Sequence, residues 1–324
     1  HQVLILMSDR GTPHGYRHMH GFGSHTFSMI NAANERVWVK FHLKTKQGIK
    51  NFPHDEAVKM KGENPDFAQE DLVDAIENGN FPKWTMYIQV MTEEQAKEFR
   101  WNPFDVTKVW FQDEFPLIEV GEMELNEIPV NYFAHVEQST FSPSNLVNGI
   151  SFSPDKMLQG RLFSYPDAHR YRVGVNSHLL EVNRCPFATN NSQRDGFMAD
   201  SSHYKDAPNY FPNSFDDIKA DESYKNFEYD LDSTRVGNFN RNENDDDHYT
   251  QPGLLYTKAL NQKDRENLVY NITQSMKGIS GQKREEIINR QLCHFFRANI
   301  ELGMKIAMSL QINIDANMMN HSKS

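Results

Sequence analysis

RLFSYPDAHRYR, residues 161–172, is the densest cluster of charged and aromatic residues among apolar flanks in this chain. If the stretch is helical, Arg161, Tyr165 and His169 follow one another at four-residue spacing on one face, and Arg172 lies three residues further along. A guanidinium group beside a phenol stabilises the phenolate anion, because a nearby opposite charge favours the charged form. The spacing therefore indicates a phenolate held between cations, which is a hard anionic ligand suited to ferric iron.

Pro166 weighs against an uninterrupted helix, since proline disfavours helical geometry at the preceding Tyr165 and lacks an amide donor. Spacing alone favours a plainer interpretation, which is an arginine-rich amphipathic segment on the protein surface. Both interpretations stay open at this level.

Composition limits the classes of partner. The 324 residues carry a formal net charge of −10, so we expect no nucleic-acid partner. Aromatic residues make up 12% of the chain, which indicates a folded protein. No apolar run approaches the roughly 18 residues that span a bilayer, so we expect no membrane partner. Cys185 and Cys293 show neither disulfide nor zinc spacing, and we expect both to be buried free thiols.

The order of the periodic patterns predicts an α+β fold. Residues 1–127 have strand-like alternation with a helical insertion, residues 128–249 are polar and poor in periodicity, and residues 250–324 return to a helical period. Because the middle stretch has no core of its own, we expect it to wrap around another part of the protein or another subunit.

Individual elements follow from the same patterns. Alternation predicts that 26–30 and 36–43 form a hairpin with one solvent-exposed face, and Thr92 followed by Gln95 predicts a capped helix start. Further strands are expected at residues 3–7, 84–90 and 118–125, and helices within 53–78 and at 254–260, 263–277 and 283–310.

Four histidines occur in a glycine-rich loop at residues 8–24 and just after it, namely His14, His18, His20 and His25. Glycines interrupt the loop and no carboxylate stands at ligand spacing, so individually hydrogen-bonded or exposed histidines are favoured over a metal site. The glycines form neither a dinucleotide-binding fingerprint nor a phosphate-binding loop, and no nucleophile elbow supports a hydrolase.

Several longer stretches resemble, in order and spacing, the haem catalases of animal type. The match covers most of residues 1–215 and, more loosely, the helices to about residue 312. The resemblance implies the haem-catalase fold, with this chain carrying the C-terminal half of an antiparallel β-barrel, and it favours the phenolate interpretation of Tyr165. The matching stretches are HQVLILMSDRGTPHGYRHMHGFGSHTF, VKFHLKTKQGIKNF, FPKWTMYIQVMT, NPFDVTKVW, PVNYFAHVEQSTFSPSN, SPDKMLQGRLFSYPDAHRYRVG and QRDGFM.

The resemblance implies a haem b cofactor with Tyr165 as the axial ligand of its iron. It further implies that Arg161 keeps Tyr165 deprotonated through a relay with His25 and Asp155. The remaining haem-binding residues that it implies are Arg172, on a propionate, with Met157, His169 and Phe141 against the porphyrin.

Several animal-type members also bind NADPH, and six residues of this chain match that site: His1, Ser8, Arg10, Lys44, Val109 and Trp110. Arg10 and Lys44 suit a 2′-phosphate. Two positions depart from the family pattern, because His20 stands where Asn is usual and Gln112 where NADPH binders usually have His.

The implied activity is disproportionation of hydrogen peroxide by a homotetramer, in the peroxisome or the cytoplasm. The family's distal histidine and asparagine lie upstream of any residue here, so we expect the chain to be the C-terminal part of a longer catalase. Two alternatives stay open: an inactive catalase-like protein, and a related haem enzyme acting on lipid hydroperoxides. The C-terminal Ser-Lys-Ser resembles a peroxisomal signal but lacks its leucine.

Overall fold

The computed structural model describes residues 1–186, 196–197, 208–215 and 247–314. Most of the QRDGFM stretch and of the predicted wrapping segment beyond residue 186 therefore lies outside the described residues, as does the C-terminal Ser-Lys-Ser. Within the described part, an antiparallel sheet in the first half adjoins a group of helices near the C-terminus.

The sheet has the strand order β5-β4-β3-β2-β6, and β1 pairs with β3 beside β2. Its strands are β1 (Gly21–Phe22), β2 (Phe27–Ile30), β3 (Arg36–Thr45), β4 (Lys83–Met91), β5 (Ile118–Glu124) and β6 (Ile150–Ser151). The helices are α1 (Gln2–Met7), α2 (His54–Glu63), α3 (Phe67–Glu77), α4 (Glu93–Glu98), α5 (Lys156–Arg172), α6 (Thr250–Leu254), α7 (Gln262–Lys277), α8 (Arg284–Ala298) and α9 (Ile300–Ser309).

The predicted hairpin is confirmed as β2 and β3, which pair antiparallel from Phe27 opposite Val39 to Ile30 opposite Arg36. The turn between them has Asn34 in the left-handed region with φ 63°, a conformation that asparagine tolerates better than most residues. The predicted capping box at Thr92 is also present at the start of α4.

A bulge interrupts the edge that β1 and β2 share with β3. Phe22 lies opposite His42 and Phe27 opposite Val39, so the four residues 23–26 face only two residues of β3. Two extra residues force the chain out of the regular ladder at this point. The bulge contains His25.

The prediction of a solvent-exposed hairpin face is wrong. Trp38, Lys40 and His42 alternate along one face of β3, and all three are buried. Residues 99–115, here called the cover segment, lie over this face, where Phe104 meets the Trp38 ring edge-on at 4.7 Å. Alternation correctly separated the two faces, but it could not show that a later segment covers the polar one.

The prediction of a strand at residues 3–7 is also wrong, because these residues form α1. Leu4 is buried and joins the core of the C-terminal helices, while Val3 and Leu6 stay exposed. An apolar run of five residues fits a strand or a helix equally well, and only packing against α7 decides between them.

The C-terminal helices share one apolar core to which α7, α8 and α9 all contribute. The predicted single helix at 283–310 is instead two helices, because Asn299 is extended and its side chain accepts a hydrogen bond from the Leu302 amide to start α9. No helix in the described residues is long and apolar enough to cross a membrane. Cys185 is exposed and Cys293 half-buried, and both are free thiols, so the expected burial is wrong.

Leu302→Ala should destabilise the helical core, because Leu302 is fully buried. We expect a loss of about 2–5 kcal/mol in the free energy of unfolding, measured by urea denaturation. Ile300→Ala, on the same helix at 65% exposure, is the matched control and should change the value by under about 1 kcal/mol. Equal losses in the two variants would contradict this assignment of the core.

Candidate functional site

Helix α5 is fixed at its first residue by the carboxylate of Asp155. Oδ1 accepts hydrogen bonds from the amides of Met157 at 2.9 Å and Leu158 at 3.1 Å, which satisfies two donors that a helix start leaves free. Leu158 is completely buried and anchors the first turn. The helix continues through Pro166 to Arg172, which confirms the helical spacing of RLFSYPDAHRYR.

The second oxygen of Asp155 begins a relay of four side chains. Oδ2 lies 2.6 Å from Nδ1 of His25, and Nε2 of His25 lies 2.7 Å from Nη1 of Arg161. Nη2 of Arg161 then donates to the phenol oxygen of Tyr165. These are the four residues that the resemblance joined, and they form one continuous chain of hydrogen bonds.

The relay has a defined direction. Arginine can only donate, so Nε2 of His25 must accept from Arg161 and the imidazole proton must lie on Nδ1, from which it is donated to Asp155. Asp155 is 1% exposed, so its charge acts with little screening. The guanidinium is thereby held against Tyr165, with its carbon 5.0 Å from the centre of the phenol ring.

Tyr165 belongs to a row of side chains along α5. Met157, Arg161, Tyr165 and His169 succeed one another at four-residue spacing. His169 lies with its ring centre 6.1 Å from that of Tyr165, and its Nε2 is 2.8 Å from the carbonyl oxygen of Phe141. The row leaves apolar surface uncovered, since Met157 is 57% and Phe141 83% exposed.

Arg172 closes this face at the end of the helix. Its guanidinium donates to the carbonyl oxygens of Glu137 and Ser139, the second at 2.6 Å, which positions a cation beside the segment that carries Phe141. The aromatic part of the row, Tyr165 and His169, thus has a guanidinium at either end, Arg161 beside Tyr165 and Arg172 beyond His169.

The four histidines of the sequence pattern have separate partners. His18 bonds to the Gly48 carbonyl at 3.0 Å, His20 accepts from the Thr45 amide at 3.0 Å, and His14 stacks on Phe52 with ring centres 4.2 Å apart. His18 and His20 are thus individually hydrogen-bonded, as expected, whereas His14 makes ring contacts and its Nδ1 is buried without a hydrogen-bond partner among the described residues. The described residues contain no group of three or more His, Cys, Asp or Glu placed to hold a metal ion.

A cleft is lined by residues of β3, the cover segment, α1 and residues 251–264. It consists of two cavities of about 620 and 390 Å³ that share the lining residues Ile5, Phe22, Leu255 and Ala259. We call the two together the β3 cleft. The larger holds His1, Val109 and Trp110, and the smaller holds Ser8, Arg10 and Lys44, so the six predicted nucleotide-site residues are divided between two cavities that share wall residues.

Cations in the β3 cleft repel one another. Burial, together with the charges of Arg10 and Lys44, lowers the pKa of His20, and burial with the charge of Arg10 lowers the pKa of Lys44. Burial is the larger cause of both lowered pKa values, and repulsion between the neighbouring positive charges adds to it, although Asp9 and Asp264 also line this cavity. A bound anion would relieve this repulsion, so the small cavity is suited to a phosphate group.

Sequence reasoning missed three polar residues of the β3 cleft. Lys40 and His42 line the larger cavity from β3, and Nδ1 of His42 is buried without a hydrogen-bond partner in the described part of the chain. Gln251 lines it from α6 and exchanges two hydrogen bonds of 3.0 Å with the backbone of Val109. Two-residue spacing from Lys44 could have indicated Lys40 and His42, whereas nothing local indicated Gln251.

Comparison with known proteins agrees with this geometry. The family model described as "Catalase" matches residues 1–217, and the one described as "Catalase-related immune-responsive" matches residues 242–310. The chain belongs to the catalase family. Its fold is the α+β catalase fold, with half of a curled antiparallel barrel and a helical C-terminal part.

Similar proteins include the catalase of an Onchocerca volvulus endobacterium, at 52% identity, and Catalase A of Pseudomonas putida, at 51%; each alignment covers 97% of this chain and 64% of the relative. Among solved structures, a bacterial catalase superposes with a TM-score of 0.85 at 40% identity, over 96% of this chain and 63% of that one. Catalase A from Saccharomyces cerevisiae also superposes with a TM-score of 0.85, at 39% identity, and the alignment covers 95% of this chain and 64% of that one. The chain thus spans somewhat under two thirds of the length of these catalases.

The two functions of Asp155 can be separated by substitution. Asp155→Asn keeps a side chain that caps helices well, whereas Asp155→Ala removes the cap. We expect the Ala variant to be about 1 kcal/mol less stable than the Asn variant in chemical denaturation. Asp167→Ala, an exposed carboxylate on the same helix, is the control and should change stability little. Equal stability of the two Asp155 variants would show that capping is not a function of this residue.

Proposed function

We propose that this chain provides the tyrosine-ligand side of a haem catalase that converts two molecules of hydrogen peroxide into two of water and one of oxygen. The observation that carries the proposal is the relay from buried Asp155 through His25 and Arg161 to the phenol oxygen of Tyr165. A guanidinium held on a phenol oxygen is placed to stabilise negative charge there, as a tyrosine ligand of ferric iron requires.

The residues present fit a haem group. Tyr165 offers a hard oxygen donor for ferric iron, and the exposed row around it offers an apolar face to a flat ring. Arg172 offers a cation for a propionate at the edge of that face. When bound, haem supplies the redox chemistry that lets one peroxide act as oxidant and a second as reductant.

The protein residues supply charge and orientation. Arg161 stabilises negative charge on the Tyr165 oxygen, and His25, fixed as the Nδ1-protonated tautomer by Asp155, keeps the guanidinium in place. Met157, His169 and Phe141 would pack against the porphyrin, and the haem would be of the b type. These assignments are part of the proposal.

A second part of the proposal is that the β3 cleft binds NADPH, which would mark the chain as animal-type within its family. The six matching residues line two cavities that share wall residues, and Arg10 and Lys44 provide the positive charge that a 2′-phosphate requires. His20 and Gln112, the two departures from the family pattern, both line the cleft and are compatible with phosphate and amide contacts.

The proposal extends to assembly and location. We propose a cytoplasmic location, since bacterial catalases are among the similar proteins. We propose a homotetramer, since Met157, Phe141 and the apolar residues of β5 are exposed and leave surface for contact with further protein. We also propose the division into residues 1–127, 128–249 and 250–324, which the two apolar cores support except that Leu4 of the first unit packs in the core of the C-terminal helices.

Tyr165→Phe should abolish haem retention and oxygen evolution, because phenylalanine offers no ligand oxygen. Arg161→Gln should retain haem but lower its affinity by roughly 10–100-fold. The measurements are the haem-to-protein absorbance ratio and oxygen release from hydrogen peroxide. Tyr171→Phe on the same helix, 84% exposed, is the matched control and should behave as wild type. Full activity in Tyr165→Phe would refute the proposal.

Arg10→Gln should weaken NADPH binding by about tenfold, because it removes one charged partner of the 2′-phosphate. NADH lacks that phosphate, so its affinity should change by less than about twofold. Fluorescence titration of both nucleotides on both proteins makes the comparison. An equal loss for NADPH and NADH would place Arg10 elsewhere along the nucleotide.

A further inference from the structure

Lys40 is a buried lysine that the proposed function leaves without a role. It lies on the covered face of β3, is 3% exposed and lines the larger cavity of the β3 cleft. Its Nζ donates to the carbonyl oxygen of Lys108 at 2.9 Å and lies 5.1 Å from the ring centre of Trp110. An ammonium group has three donors, so one carbonyl and one aromatic ring compensate its burial only in part.

The strand register places Lys40 beside the relay. Residues 40 and 41 of β3 are the two residues that face the four-residue bulge containing His25. Within the bulge, Ser24 lines the same cavity as Lys40, so the chain passes from cleft to relay in one residue. Bulges of this kind commonly re-aim a side chain next to a functional site.

Hydrogen bonds connect this bulge to the cover segment on one side and to Asp155 of the relay on the other. Thr26 donates its hydroxyl to the carbonyl of Pro103 in the cover segment at 2.7 Å and accepts at its own carbonyl from Ser153. The Ser153 hydroxyl in turn accepts from the amide of Asp155 at 3.3 Å. The wall of the cleft and the carboxylate of the relay are therefore held by the same few residues.

Charge links Lys40 to the relay as well. Burial lowers the pKa of Lys40 to about 8, and the carboxylates of Asp155 and Asp105 act in the opposite direction. Since electrostatic interaction is mutual, a charge on Lys40 must also act on Asp155. The other titratable groups around Lys40 come from the residue before α1, β3, the bulge, the cover segment and residues 255–259: His1 with its amino group, His42, His25, Lys108, Asp113, Glu114 and Lys258.

We propose that Lys40 is a positioning residue that couples the β3 cleft to the relay: its ammonium charge weakens the hold of Asp155 on His25 and thereby strengthens the hydrogen bond from Arg161 to Tyr165. This inference rests on the proposed function. An anion bound in the cleft keeps Lys40 charged to higher pH, so occupancy of the cleft is communicated to the tyrosine ligand without any contact between the two.

The steps follow from hydrogen-bond polarisation. A positive charge near Asp155 makes its Oδ2 a poorer acceptor, so the proton of His25 is held more firmly on Nδ1 and Nε2 becomes a weaker acceptor for Arg161. The guanidinium is then freer to donate to the Tyr165 oxygen. Loss of the Lys40 charge reverses each step.

The test is resonance Raman spectroscopy of the iron–tyrosinate band in the native haem-loaded protein between pH 6 and 10. Wild type should show two band positions that interconvert near pH 8. Lys40→Met should give the high-pH band at every pH, and Lys40→Arg, which keeps its charge throughout, should give the low-pH band. NADP⁺, which cannot donate a hydride, should move the wild-type midpoint upward by about one pH unit.

Lys59→Met, at an exposed lysine of α2 paired with Glu63, is the control and should reproduce the wild-type profile. A wild-type profile in Lys40→Met, or no transition in wild type, would overturn the coupling while leaving the proposed function intact. Absence of any tyrosinate band in wild type would instead refute the proposed function itself. Asp155→Asn provides a second check, since it should remove the transition with Lys40 unchanged.

Discussion

The carboxylate of Asp155 is the point on which the proposed haem face depends. One oxygen starts helix α5 by accepting two backbone amides, and the other holds His25 and, through it, Arg161. The residue that fixes where the helix begins is therefore the same residue that orients the guanidinium on Tyr165, nearly three turns later. Because Asp155 is buried, neither interaction is weakened by water.

The bulge at residues 23–26 lets one short segment serve two sites. A regular strand would place alternate side chains on opposite faces and leave the spacing between relay and cleft fixed by the pleat. Two extra residues instead carry His25 away from the ladder toward α5, while Ser24 stays in the wall of the β3 cleft. The relay and the cleft are thus neighbours through the backbone as well as through charge.

Three basic side chains lie on the covered face of β3, where burial disfavours their charged forms. Lys40, His42 and Lys44 follow one another on this face, and burial lowers the pKa of each. Aromatic contacts and backbone carbonyls of the cover segment compensate part of the penalty. The charges of Lys40 and Lys44 leave a positive field inside the cleft, as a polyanionic ligand would require, whereas His42 with its lowered pKa adds no charge at neutral pH.

The sequence by itself determined the elements with long, regular patterns, which are the β2–β3 hairpin, the strand β4 and helices α2, α3 and α7. It also determined that Arg161, Tyr165 and His169 lie on a common face of α5. Local chemistry is sufficient there, because periodicity and capping act over a few residues. Only the tertiary structure decided that residues 3–7 are helical and that the cover segment buries Lys40 and His42. It also decided that extended backbone at Asn299 divides the last predicted helix into two. It also decided how His25 and Asp155, 130 residues apart, come within 2.6 Å, because packing, and not the pattern of either segment, sets contacts over such distances along the chain.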